Sequence, residues 1–106
     1  MQKFIIDCSA VTSEGEFWDK YLEVTCPDGS EYFGRNLDAF NDAITCGGPG
    51  WPGECEVHFT NTARVQRFRS GDFFKALERI ASESTSARLI LEDRFVASKK
   101  AWWKLW

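Results

Sequence analysis

Apolar residues along this chain gather in six short clusters, and their spacing alternates between two periods. Phe4-Ile5-Ile6 is an unbroken apolar run, the pattern of a strand buried on both faces. From Ser13 the period lengthens. Ser13-x-x-Glu16 forms a capping box, and Phe17, Trp18, Tyr21 and Leu22 follow at helical spacing. That helix is predicted to end near Thr25, because Pro27-Asp28-Gly29 is turn chemistry. A second helix, over about residues 36–45, starts at the N-cap Asn36 and repeats Leu37, Phe40 and Ile44 along one side. In the stretch 55–60, Val57 and Phe59 alternate with Glu56 and His58, which predicts a strand. Residues 62–69 suggest a short helical turn. Phe73, Phe74, Leu77, Ile80 and Ala81 then form an amphipathic stripe on a helix capped by Ser70 or Asp72. Leu89-Ile90-Leu91 reads as another doubly buried strand.

Strands separated by helices imply an α/β fold, with a parallel sheet joined by right-handed crossovers. The chain has 106 residues, the size of one domain, and no internal repeat or linker divides it. An apolar content of 43%, rich in aromatics, is enough for a packed core rather than a disordered chain. The first residues, MQKFIIDCSA, are too short an apolar run for a signal peptide, and no run approaches the length of a membrane span. The expectation is a cytoplasmic protein. Cys8, Cys26, Cys46 and Cys55 lack paired spacing, so thiols rather than disulfides are expected.

Charge sharpens the functional reading. The net charge of −3 conceals an acidic half: residues 7–42 carry nine acids against Lys20 and Arg35. Residues 43–106 carry ten bases and seven acids. Phosphate would be repelled by the acidic half, which argues against nucleic acid as its direct ligand and fits a basic protein. A solvated acidic face is the bland alternative from charge alone.

Little points to catalysis. The single histidine, His58, lies on a strand pattern beside Glu56, with no local nucleophile motif. The run Gly47-Gly48-Pro49-Gly50-Trp51-Pro52-Gly53 is a loop, and it lacks the lysine and hydroxyl residue of a phosphate-binding loop. Cys46, Cys55 and His58 together do not follow a zinc spacing. No cofactor or metal is expected, and the chain is not expected to be an enzyme.

The densest signal is residues 31–45, EYFGRNLDAFNDAIT. Gly34 supplies the turn. Opposite the apolar side of the helix, Asp38 and Asp42 stand one turn apart, with Tyr32 just before the turn. Without further context, two such aspartates are ordinary solvated charges. The run Tyr32-Phe33-Gly34-x-Asn36-Leu37-Asp38-Ala39-Phe40-x-Asp42 resembles the signature of the barstar family, intracellular inhibitors of bacterial ribonucleases. The order of elements over residues 3–92 fits the same family.

The resemblance implies a single barstar-like domain over residues 1–106, three-layered, with a small three-stranded parallel sheet flanked by helices. It implies an inhibitor or immunity protein, an antitoxin in function, whose second helix enters the cleft of a bacterial ribonuclease. The implied partner is a basic extracellular or delivered ribonuclease, bound one-to-one, with no nucleic acid or membrane contact. By match to the motif, Asp42 takes the place of the principal acid that mimics substrate phosphate, and Asp38 that of the supporting acid. Tyr32 takes the place of an aromatic that packs on the enzyme. Asn41 stands where a tryptophan contact is found in the family. Gly47 or Trp51 stands in for a glycine–tryptophan contact after the helix. A further family acid, on the penultimate helix, falls on Arg79 here, with Glu78 adjacent, and is not carried over.

Residues 93–106 match nothing associated with the family. There Lys99, Lys100 and Lys104 interleave with Trp102, Trp103 and Trp106. A docked extension that buries its indoles is the favoured reading. The alternative function is a regulatory or RNA-associated module that uses this basic, Trp-rich tail.

Overall fold

The computed structural model describes residues 2–91. The elements run β1 (Gln2–Asp7), α1 (Glu14–Thr25), a 3-10 turn (Ser30–Tyr32), α2 (Leu37–Cys46), β2 (Cys55–Thr60), a kinked 3-10 run (Val65–Gly71), α3 (Asp72–Glu83) and β3 (Ala87–Leu91). The three strands form one parallel sheet in the order β1-β2-β3. The α/β class and the three-stranded parallel sheet are those expected from the sequence.

The strand order decides where the helices go. Both crossovers step in the same direction across the sheet, so two right-handed connections place their helices on the same face. The aromatic core records this. Phe59 of β2 stacks on Phe17 of α1 with centroids 5.0 Å apart and meets Phe40 of α2 at 6.3 Å. Phe17 also meets Phe73 of α3 edge-on at 5.3 Å. Ile6, Val57, Phe59 and Leu89 from the sheet join Trp18, Tyr21, Phe40, Phe73, Leu77 and Ile80 in one buried cluster. Each large side chain so buried contributes about 1.5–3 kcal/mol.

Of the three layers expected, the described residues therefore supply two. For the same reason the outer strands are not buried on both faces. Ile6 is fully buried but Ile5 is 50% exposed, and Leu89 is buried while Ile90 is only half-buried. Alternation sends neighbouring residues to opposite faces, and the described helices cover one of them. The Trp-rich extension lies outside the described residues.

The helix ends follow local chemistry, with two departures from expectation. Ser13 caps α1 by accepting from the Glu16 amide at 3.2 Å. The reciprocal bond of the capping box is shifted by one residue: Glu16 Oε1 accepts from the Thr12 amide at 2.7 Å and the Thr12 hydroxyl at 2.8 Å. At α3, neither Ser70 nor Asp72 is the cap. Gly71, at φ +96°, holds that position with no side-chain bond, because Arg69 and Ser70 before it are both left-handed. Arg69 is held there by a paired contact to the Glu14 carboxylate of α1, at 2.6 and 2.7 Å. A long-range ion pair, invisible to local pattern, thus fixes the approach to α3.

Candidate functional site

Helix α2 shows its polar side because its apolar side is fully used. Phe40, Ala43 and Ile44 are buried, which leaves Asp38 and Asp42 exposed one helical turn apart. Asn36 starts the helix: its Oδ1 accepts from the Ala39 amide at 2.8 Å. Its Nδ2 donates to the Gly34 carbonyl at 3.2 Å. The backbone of Gly34 passes so close to Ala39 that a Cβ there would sit 3.1 Å from the Ala39 Cβ. Arg35, the nearest cation in sequence, points away. It pairs with Asp19 of α1 at 2.6 Å and donates to the Gly15 carbonyl at 3.2 Å. Neither Asp38 nor Asp42 makes an ion pair with a described residue. Both carboxylates face solvent.

The glycine-rich loop after α2 folds back against the helix. Gly47 terminates α2 in a left-handed conformation, and the Gly48 amide donates to the Asp42 carbonyl at 3.2 Å. Gly48 also runs beneath the Asp42 carboxylate, where a Cβ would collide with it. A turn follows, with the Trp51 amide donating to the Gly48 carbonyl at 3.0 Å. Gly50, at φ +94°, lies on the Phe33 ring, and a Cβ there would be 2.7 Å from Phe33 Cδ1. The buried Tyr21 hydroxyl anchors the loop by donating to the Gly50 carbonyl at 2.7 Å. Burial pushes the Tyr21 phenol well above its ordinary pKa.

These contacts gather residues far apart in sequence. Phe33 and Gly50 touch, so their chain neighbours Tyr32 and Trp51 are brought to the same end of the molecule. Both are exposed, Tyr32 at 74% and Trp51 at 37%. Between the turn at Thr25–Gly29 and the Gly47–Gly53 loop lies an open cleft of about 460 Å³, with Trp51 on its wall. Asn41 is different. It is half-buried, and its Oδ1 is buried with no hydrogen-bond partner among the described residues. On α3, Glu78 is half-buried and Arg79 exposed. Cys55 and His58, three apart on β2, belong to opposite faces of the sheet, which separates two of the three residues weighed as a metal site.

The profile of the family described as Barstar (barnase inhibitor) matches residues 1–97. The chain belongs to the barstar family. The match spans every element from β1 to β3, and residues 98–106, SKKAWWKLW, lie beyond it. Comparison with curated proteins finds no match. Barstar-family proteins are inhibitors rather than enzymes and bind ribonucleases such as barnase, and at the family level this chain is a ribonuclease inhibitor of that kind.

Two residues that shape this surface were not singled out by the sequence pattern. Gly48 looked like one glycine among several in an irregular loop, and Tyr21 looked like one core aromatic among many. The available signal for Gly48 was the Gly47-Gly48 pair directly after a predicted helix end, since only the first is needed for the cap. For Tyr21 there was none, because its partner, the Gly50 carbonyl, lies 29 residues away.

Proposed function

We propose that this chain inhibits a bacterial ribonuclease by placing the carboxylates of α2 in the enzyme's phosphate-binding cleft. The observation that carries the reading is the pair Asp38 and Asp42, exposed on one face of a capped helix and in no ion pair with a described residue. A ribonuclease site binds phosphate through Arg, Lys and His. Carboxylates on a rigid helix substitute for those phosphates with short, charge-assisted bonds, bidentate where arginine is met. Asp42 is the principal acid and Asp38 the supporting one. Placement of both acids on one capped helix reduces the backbone ordering cost at binding. Tyr32 and Trp51 supply apolar contact beside the acids, with Gly47 letting the enzyme approach the end of the helix. Asn41 contributes less than an aromatic would, because its amide is partly turned into the protein.

In this reading the partner is a basic ribonuclease, secreted or delivered by a bacterium and bound one-to-one. The chain acts in the cytoplasm as an immunity protein or antitoxin. Titrating a barnase-type ribonuclease with the full chain tests it. Wild type is expected to abolish RNA cleavage near equimolar ratio. Asp42→Ala is expected to stay folded and weaken inhibition by about 3 kcal/mol, roughly a hundredfold, because the enzyme's buried cations lose their counter-charge. Near-stoichiometric inhibition by Asp42→Ala overturns the assignment.

A further inference from the structure

In the order β1-β2-β3 the outer edge of β1 pairs with no described strand. The Cys8 amide donates to the Thr60 carbonyl at 2.9 Å, so even-numbered residues turn their main-chain groups toward β2. Alternate residues of a strand pair to opposite sides, and the amides and carbonyls of Lys3, Ile5 and Asp7 therefore point outward. No described residue bonds to them. An edge is commonly closed to other strands by a bulge or a proline. β1 has neither: its register with β2 advances evenly from Gln2 to Asp7, and the strand contains no proline. The side chains of the same three residues are exposed, and they lie on the face away from the helices. Among the described residues the exposed large apolar side chains are Ile5, Tyr32 and Trp51, and the latter two belong to the candidate binding surface. Ile5 has no such assignment.

This edge is complementary to itself. A two-fold axis at Ile5, perpendicular to the sheet, sets β1 of a second copy antiparallel to β1. Ile5 then faces Ile5 of the second copy, and Lys3 faces its Asp7 at both ends of the ladder. All three outward-pointing residues become hydrogen-bonded pairs, each exchanging amide and carbonyl. The charges agree with those of the sheet itself. Arg88, Glu56 and Lys3 lie side by side across the three strands, alternating in sign, and Asp7 of the second copy continues the alternation. Neither Lys3 nor Asp7 makes an ion pair with a described residue. Other registers fit worse. An axis at Lys3 or Asp7 sets like charges opposite each other, and one at Phe4 or Ile6 sets a charge against Ile5. The outer edge of β3 offers no such match, since Arg88 and Ile90 are its side chains on that face. The edge of β1 is also clear of α2: α1 packs on β1, whereas α2 packs on α3 and β3.

We infer that the edge of β1 is a docking surface for a second copy of this chain, joined by antiparallel β1–β1 pairing about Ile5 into one continuous six-stranded sheet. The contact is isologous and closes on itself, and it leaves the acidic side of α2 open on both copies. The test uses the full chain without a ribonuclease, so its outcome is independent of the inhibitory function. In sedimentation equilibrium the mass is expected to rise from one chain to two through the micromolar range. Ile5→Lys places two cations face to face at the axis and is expected to raise the dimer Kd roughly tenfold or more. Its side chain is half-exposed, so the variant is expected to keep the wild-type circular dichroism. Lys3→Glu and Asp7→Lys are each expected to weaken the dimer, and an equimolar mixture of the two to restore it, because every cross-strand pair is then of opposite charge. A cross-link reads the register. In a Cys26→Ser/Cys46→Ser background, which removes the exposed thiols, Ile5→Cys is expected to form an intermolecular disulfide under mild oxidation. The Cα atoms of a hydrogen-bonded pair lie about 5.5 Å apart, within the reach of a disulfide. Lys3→Cys is expected not to cross-link to its own copy, because the two positions are more than about 10 Å apart along the ladder. Four results overturn the proposal: a one-chain mass at every concentration; a folded Ile5→Lys that dimerises as tightly as wild type; a mixture of the charge variants no more dimeric than either alone; or Lys3→Cys cross-linking as readily as Ile5→Cys.

Discussion

The carboxylate of Asp42 lies over the backbone of Gly48, so closely that a Cβ built on Gly48 would be 2.9 Å from Asp42 Cγ and in collision with Oδ2. The glycine at this position leaves room for the side chain proposed as the main binding group. Gly48→Ala is therefore expected to separate stability from function. The Asp42 side chain can rotate away from the new methyl, so unfolding free energy should change by no more than about 0.5 kcal/mol. The carboxylate is displaced, however, and inhibition should weaken by roughly tenfold or more. Urea unfolding and ribonuclease titration on the same sample check both halves. Full inhibition by a folded Gly48→Ala removes any role for this contact.

Asp38 and Asp42 share a helix face but differ in surroundings. Asp38 sits in the first turn, where a negative charge stabilises the helix by about 0.3–1 kcal/mol. Asp38→Ala is expected to lower Tm slightly and weaken inhibition in the same direction as Asp42→Ala, by a smaller factor. A reversal of that order, measured by titration at one salt concentration, means that Asp38 rather than Asp42 is the principal acid.

Association with a basic ribonuclease is expected to be fast at low salt and to slow steeply as salt rises, because residues 7–42 carry nine acids against two bases. Stopped-flow association rates over a range of ionic strength check this. A rate independent of salt contradicts electrostatic steering.

Tyr21 is a test of the loop anchor. Tyr21→Phe removes the hydroxyl that donates to the Gly50 carbonyl and leaves a buried acceptor unpaired, at an expected cost of about 1–2 kcal/mol. The pH dependence has a definite sign. The folded-state pKa of Tyr21 is raised by burial, so its contribution to stability is fully present below the unfolded value, about pH 10, and is lost as pH rises beyond it. Wild-type stability should therefore fall above about pH 10, and Tyr21→Phe should fall less over the same range. Urea midpoints at pH 8 and pH 11 compare the two.

What the sequence determined by itself is local and periodic. The apolar spacing of Phe17, Trp18 and Tyr21, and of Phe73, Phe74 and Leu77, selects helices because 3.6-residue periodicity puts those side chains on one face. The Asn36 cap and the exposure of Asp38 and Asp42 follow from the same arithmetic, so the acidic side of α2 was readable before any fold was known. Tertiary structure decided the rest. An apolar run such as Phe4-Ile5-Ile6 does not reveal how many of its faces will be covered. That depends on strand order, and the order β1-β2-β3 sends all three helices to one side and leaves Ile5 half-exposed. The left-handed approach to α3 was hidden because it rests on Arg69 meeting Glu14, 55 residues earlier. The seat of Asp42 over Gly48 was hidden as well. A sequence shows which backbone can bend at a glycine, and only the folded chain shows which side chain occupies the space where a Cβ would have been.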